Sequence, residues 1–234
     1  MKTTVNRRWT AYQIESWLLE KNLIEIRQKT RRIMAYRDFK FSDLEEKLGI
    51  KQQRKKLFAQ PNSVTPSGWL QETIQIAQDT LVMTTEKAVS EGLVAPILQE
   101  IARHNPKKLQ LFSGEILMAD KSKGLNGECD FVFTKTHGSL QLQKPIIQIT
   151  EAKKNDMNDL RSLSQTAAQM VGARIFNQKA TKPIETIYGA CTNGYEWIFL
   201  KLEGQTVFVD TDRYNLVNLP QLLGILQTVV DFYD

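Results

Sequence analysis

Apolar positions recur at helical spacing from Thr10 to Glu20, where Ile14, Trp17 and Leu18 share one face and Thr10 can cap. Ser42-Asp43-Leu44-Glu45 has capping-box spacing, and the short helix it opens through Leu48 should stop at Gly49. The run Gln60–Gly68 is dense in turn formers and reads as a linker. Beyond it, Ser67–Val82 predicts a helix with Leu70, Ile74, Ile76, Ala77 and Leu81 on its apolar side. Thr85–Ile101 predicts another, kinked or restarted near Pro96. The pattern then shifts to strand-like runs. Leu109–Met118 is broken by Gly114, Cys129–Phe133 follows the turn at Gly124–Gly127, and Ile146–Thr150 is dominated by β-branched residues. Asn155–Phe176 returns to helical spacing, with Leu160, Leu163, Ala167, Met170, Val171 and Ile175 on the buried side. Ile187–Ala190, Trp197–Leu202 and Val207–Val209 predict three more strands, separated by turns at Asn193-Gly194 and Glu203-Gly204. Asn218-Leu219-Pro220 opens a last helix to Phe232. The order predicts an α/β (α+β) protein with a mixed sheet flanked by helices.

Composition narrows this picture modestly. A chain of 234 residues, 41% hydrophobic and 24% charged, is ordinary for a globular protein. It holds no apolar run long enough to span a bilayer and no signal-like leader, so a cytoplasmic protein is expected. Cys129 and Cys191 lack metal-ligand spacing and predict two buried thiols. Charge is more informative. Residues 1–60 carry fifteen Lys or Arg against seven Asp or Glu, while the remainder carries sixteen against nineteen. A basic, mainly helical region over 1–60 and a separate core over 67–234 are therefore expected, with the basic part meeting a polyanion. Its cations cluster at Arg27–Arg32, including Arg31 and Arg32, and again at Lys51, Arg54, Lys55 and Lys56.

The chemistry lies in the core. Asp130 is followed after twenty residues by Glu151-Ala152-Lys153, at the end of a run that should be a buried strand. Alternation along a strand sends Glu151 and Lys153 to one face and Ala152 to the other. Two carboxylates on neighbouring strands, with the Ala152 carbonyl, offer oxygen donors to Mg²⁺, for which Mn²⁺ can substitute. Such an ion polarises a phosphoryl group, and an adjacent lysine holds water or offsets developing charge. Glu91 is the preferred third carboxylate, from the helix before the sheet, with Glu86 and Glu100 as substitutes. Gln165 and Gln169, four residues apart, share one helical face. Lys154, Arg161 and Arg174 are further candidates for backbone phosphates. Each feature has an ordinary reading too: a Glu-x-Lys on a strand is usually a surface ion pair, and Asp130 alone could cap a turn.

The segments Leu125–Phe131, Glu151–Lys154 and Gln165–Met170 together resemble the PD-(D/E)xK nuclease superfamily, in particular small nuclease-like proteins common in cyanobacteria. Thr85–Ala88, Ser90-Glu91, Ala95–Leu98, Leu111–Glu115, Ile187–Ala190, Trp197–Gly204 and Leu223–Leu226 extend the likeness over roughly residues 39–232. The resemblance implies a restriction-endonuclease-like core and a metal-dependent endonuclease of the hydrolase class. Asp130 and Glu151 would bind the ion, Lys153 would assist the water, and Glu91 would stand on the preceding helix. Gln165 is similar to the helical glutamine of RecB-type and type I restriction nucleases. DNA is the expected substrate, with RNA left open, and Lys154, Arg161, Arg31, Arg32 and Lys55 are the expected phosphate contacts. Double-strand cutting would call for a homodimer. The competing expectation is a silent module on the same fold, binding nucleic acid or docking on a protein partner in a defence or mobile-element assembly. Two departures stand out: related sequences tend to carry Ala-Glu-Met where this chain has Ala168-Gln169-Met170, and the basic segment 1–38 has no matching counterpart.

Overall fold

The computed structural model describes residues 10–29, 34–153, 157 and 159–234, and the chain divides into two compact units, Met1–Ile33 and Met34–Asp234. In the first, helix α1 spans Ala11–Lys29. Thr10 and Gln13 cap it reciprocally: the Gln13 N–H donates to Thr10 Oγ1 at 3.3 Å and the Thr10 N–H to Gln13 Oε1 at 3.0 Å. Ile14, Trp17 and Leu18 are exposed. Eight Lys or Arg and three Glu precede Met34, and twenty-three of each sign follow it, so the net charge of +5 lies in the first unit.

The second unit is built on one mixed eight-stranded sheet. Its strands are β1 (Lys51–Arg54), β2 (Gln110–Asp120), β3 (Leu125–Thr134), β4 (Ile146–Ala152), β5 (Ile187–Thr192), β6 (Glu196–Glu203), β7 (Thr206–Val209) and β8 (Tyr214–Asn215). The order is β1-β7-β6-β5-β4-β3-β2, with β8 paired to β6; β4–β5 and β1–β7 are parallel and the rest antiparallel. Helices α2 (Phe41–Leu48) and α6 (Leu160–Asn177) share one apolar core with Val132, Ile149 and Cys191. Helices α3 (Gly68–Thr80), α5 (Ala95–His104) and α7 (Leu219–Asp231) share the other with Phe131, Phe133, Ile147 and Ala190. Between two such cores β4 is buried at every residue, the expected state of a central strand with a parallel neighbour and both faces covered.

Several local expectations shift. The linker does not divide the second unit: Tyr36, Phe39, Leu44 and Ile50 lie in one core and Phe58 in the other. Residues 36–58 therefore belong with the sheet, and the unit begins at Met34. The linker itself is tied down, the Val64 N–H donating to the Pro220 carbonyl at 2.9 Å. Helix α2 starts two residues earlier than its capping-box spacing predicts, with Lys40 rather than Ser42 at its N-cap. Asp43, not Glu45, reaches back to accept the Lys40 N–H at 2.9 Å. Gly49 ends that helix at φ +68°, as expected of a left-handed C-terminal position. The break near Pro96 takes the form of a five-residue π turn, Ser90–Val94, joining α4 (Glu86–Val89) to α5. Gly114 does not interrupt β2 but sits within it at φ +70°.

Candidate active site

The site forms where β3 and β4 part. Their last paired residues are Phe131 and Thr150. One step further, Asp130 no longer makes a ladder pair, and its Oδ2 instead accepts the Ala152 N–H at 2.7 Å. Strand β4 runs on against β5, with Glu151 opposite Cys191, and the Lys153 N–H donates to the Thr192 carbonyl at 2.7 Å. Neighbouring strands thus present Asp130, Glu151 and Lys153 at one end of the sheet. Ala152 is buried in the core shared with α3, α5 and α7, whereas Glu151 is held by α6. This is the alternation expected along a strand.

Glu151 is 1% exposed. Its Oε1 accepts from Lys153 Nζ at 2.6 Å and from Gln165 Nε2, and its Oε2 accepts from Gln169 Nε2 at 2.7 Å. Gln169 Nε2 also donates to the Glu128 carbonyl oxygen at 3.1 Å, bridging α6 to β3. Despite these donors, burial and then the charge of Asp130 push the Glu151 carboxyl up to about 7. Asp130 is also raised, by burial first, although Lys153 and the Ala152 N–H pull the other way. Burial opposes charging Lys153, but Glu151, Asp130 and Glu86 outweigh it, and the amine is held above its usual range. Lys153 is protonated at neutral pH. The buried thiols feel the same field: burial and Glu151 raise Cys129 well above its ordinary value and Cys191 to about 12.

These groups open on a cleft of about 640 Å³, lined also by Ala35, Tyr36, Arg37, Glu86, Ile116, Gly127, Glu128 and Gln165. Among the described residues four carboxylates, Glu86, Glu128, Asp130 and Glu151, face two cations, Lys153 and Arg37. An acidic cleft repels a phosphodiester unless a cation intervenes. The donor chemistry suits a hard ion: the acids supply oxygen, and among the described residues neither imidazole nor thiolate lines the cleft. Among the described residues no three His, Cys, Asp or Glu side chains converge as a metal cage. An ion held by Asp130 and Glu151 would therefore keep several waters, which is the habit of Mg²⁺.

Of the expected site residues, Asp130, Glu151, Lys153 and Gln165 all line this cleft, and the Ala152 N–H donates to Asp130. Glu91 does not line it: that side chain is 63% exposed and pairs with Lys87 at 3.7 Å. Glu86 stands there instead, 3.7 Å from Lys153 Nζ. Glu100 is buried elsewhere, where it accepts the Ser67 N–H at 2.7 Å and the Ser67 hydroxyl at 2.9 Å and so clamps the start of α3 to α5. Arg161 lines a different groove with Lys40, Ser42 and Gln52. Lys55 lies over the Phe208 ring, and the buried Arg174 donates to the Gly204 carbonyl. Lys154, Arg31 and Arg32 lie outside the described residues. Sequence reasoning missed Tyr36, Arg37 and Glu128 as cleft residues. The first two sit in a stretch that reads only as part of a basic region, with no motif to mark it.

Compared with known proteins, the chain matches no family model and no curated protein.

Proposed function

We propose that this protein is a Mg²⁺-dependent nuclease hydrolysing phosphodiester bonds, in DNA first, on a restriction-endonuclease-like core. The observation that supports this most is the convergence of Asp130, Glu151 and Lys153 in one open acidic cleft, with Lys153 Nζ 2.6 Å from Glu151. A bound ion supplies Lewis acidity toward the phosphoryl group. The rest falls to the chain. Asp130 and Glu151 hold the ion, while the Ala152 N–H and the amides of Gln165 and Gln169 fix the two carboxylates in place. Lys153, kept protonated by its acidic neighbours, positions water or offsets charge building on the phosphoryl oxygens. The basic unit Met1–Ile33 adds sequence-independent attraction to the polyanion.

The test is incubation of the protein with plasmid and linear DNA in Mg²⁺ or Mn²⁺. Cleavage that vanishes in EDTA and in Asp130→Ala with Lys153→Ala supports the proposal; no products, or products unaffected by both substitutions, refute it. A binding module without turnover is the second reading. It is favoured by one feature: both Glu151 oxygens are already engaged by Lys153, Gln165 and Gln169. Metal-independent DNA affinity without products would select it.

A further inference from the structure

The cleft contains one cation that the proposed chemistry leaves without a task. Arg37 is exposed, lines the same cleft as Asp130 and Glu151, and makes no hydrogen bond or ion pair among the described residues. Lys153, the other cation among the described residues of the cleft, is committed to Glu151 and Glu86. A guanidinium at the rim of a cleft lined by four carboxylates, yet paired with none of them, is available to an incoming anion.

The backbone under Arg37 is fixed rather than pliant. Residues Tyr36–Asp38 form a single 3-10 turn, in which Asp38 Oδ2 accepts the Ala35 N–H at 3.1 Å. The Tyr36 side chain, 1% exposed, is sunk between β3 and α6. Two glycines make room for it. A Cβ at Gly172 would lie 2.2 Å from the Tyr36 hydroxyl oxygen, and one at Gly127 would lie 3.2 Å from the ring. With Tyr36 wedged in this way, the next residue is presented at the cleft rim with little backbone freedom to lose on binding.

We infer that Arg37 is a substrate-binding residue that grips a phosphate of the nucleic-acid backbone as the strand lies across the Asp130–Glu151 pair. This rests on the nuclease reading for the identity of the strand, but not for the contact itself. A guanidinium takes a phosphate by two parallel N–H···O bonds, which an ammonium cannot copy. Arg37→Lys should therefore fall between the wild type and Arg37→Gln.

The experiment measures binding of a labelled DNA duplex by fluorescence anisotropy in Ca²⁺ across a salt series, and cleavage kinetics in Mg²⁺. Wild type, Arg37→Gln, Arg37→Lys and the surface control Lys182→Gln are compared. Arg37→Gln is expected to weaken binding about tenfold and to lower the slope of log Kd against log salt by about one, with Lys182→Gln unchanged. In cleavage, KM should rise about tenfold with kcat nearly constant. A merely structural role would move the unfolding midpoint but not the salt slope. If wild type cleaves and Arg37→Gln matches it in KM and slope, the inference is overturned and the nuclease reading survives. If wild type binds through Arg37 but never cleaves, the inference stands and the nuclease reading falls. If wild type neither binds nor cleaves DNA, both are overturned.

Discussion

Replacing Glu151 by Gln should reverse part of the pH dependence of folding. The carboxyl ionises near 4.5 in the unfolded chain and is pushed up to about 7 in the native site, chiefly by burial and then by Asp130. Between those values the native state holds a proton that the unfolded state has released, so this group's contribution makes stability fall as pH rises. Below 4.5 the effect is absent, and above about 7 it is complete. At about 1.4 kcal/mol per pH unit the full penalty is roughly 3 kcal/mol, most of it developed between pH 5 and 8. A glutamine in its place never ionises and escapes it. Urea unfolding of wild type and Glu151→Gln in EDTA, at pH 5 and at pH 8, measures the difference of differences. Wild type should lose about 2 to 3 kcal/mol relative to the variant on going from the lower pH to the higher. Because Asp130 raises Glu151 through its charge, the difference belongs to the coupled pair of carboxyls rather than to Glu151 alone. Millimolar Mg²⁺ at pH 8 should restore much of the loss in wild type and little in the variant, because an ion held by the two acids stabilises only the folded, ionised site. A gap that is flat with pH, or that widens in favour of wild type at pH 8, would refute this account of the site.

Other consequences are simpler. Gly224→Ala should destabilise by about 3 kcal/mol or more in chemical denaturation, because the new Cβ would lie 1.5 Å from the Asn62 carbonyl oxygen, where the linker backbone crosses α7. Glu86→Gln should alter the Mg²⁺ concentration needed for half-maximal stabilisation, and Glu91→Gln should not, since only Glu86 lines the cleft and meets Lys153. Cys129 and Cys191 are buried with raised thiol pKa values. Both should react with an aromatic disulfide reagent only at the rate of unfolding, and thiol release at neutral pH in native buffer would contradict that.

How far the site was legible from the sequence depended on whether its determinants were local. Asp130 and Glu151-Ala152-Lys153 sit at the ends of apolar runs whose strand character is written in their own residues, so their meeting could be anticipated from β3 and β4 alone. The helical carboxylate could not. Glu86 and Glu91 are five residues apart, about 140° around an ideal helix, so at most one faces the sheet. Which one depends on the rotation of the whole α4–α5 segment, set by packing and by the π turn at Ser90–Val94. Strand β1 was hidden for a related reason. Lys51-Gln52-Gln53-Arg54 is polar and exposed at every position and becomes a strand only by docking parallel to β7, a contact 155 positions away in the paired Lys51 and Thr206. Its exposed charges suit an edge that must not recruit other strands.

Gln169 anchors Glu151 from α6, and a substitution there tests how much the site depends on that support. The amide of Gln169 donates at once to Glu151 Oε2 and to the Glu128 carbonyl oxygen. An ionised carboxylate can do neither, since it only accepts. Gln169 is fully buried, so Gln169→Glu would set a second acid against Glu151 with two acceptors left facing it. In EDTA at pH 8 the variant should be destabilised by about 3 kcal/mol or more, from like charge and unmet acceptors together. Acidification to pH 5 should recover part of that, because one shared proton restores a donor between the two carboxyls. Mg²⁺ should stabilise this variant more than wild type if the added acid reaches the ion, and equally if it acts only on Glu151. A variant as stable as wild type at pH 8 without metal would mean that the Gln169 amide does not hold Glu151, and the support for Glu151 would then have to come from Gln165 and Lys153 alone.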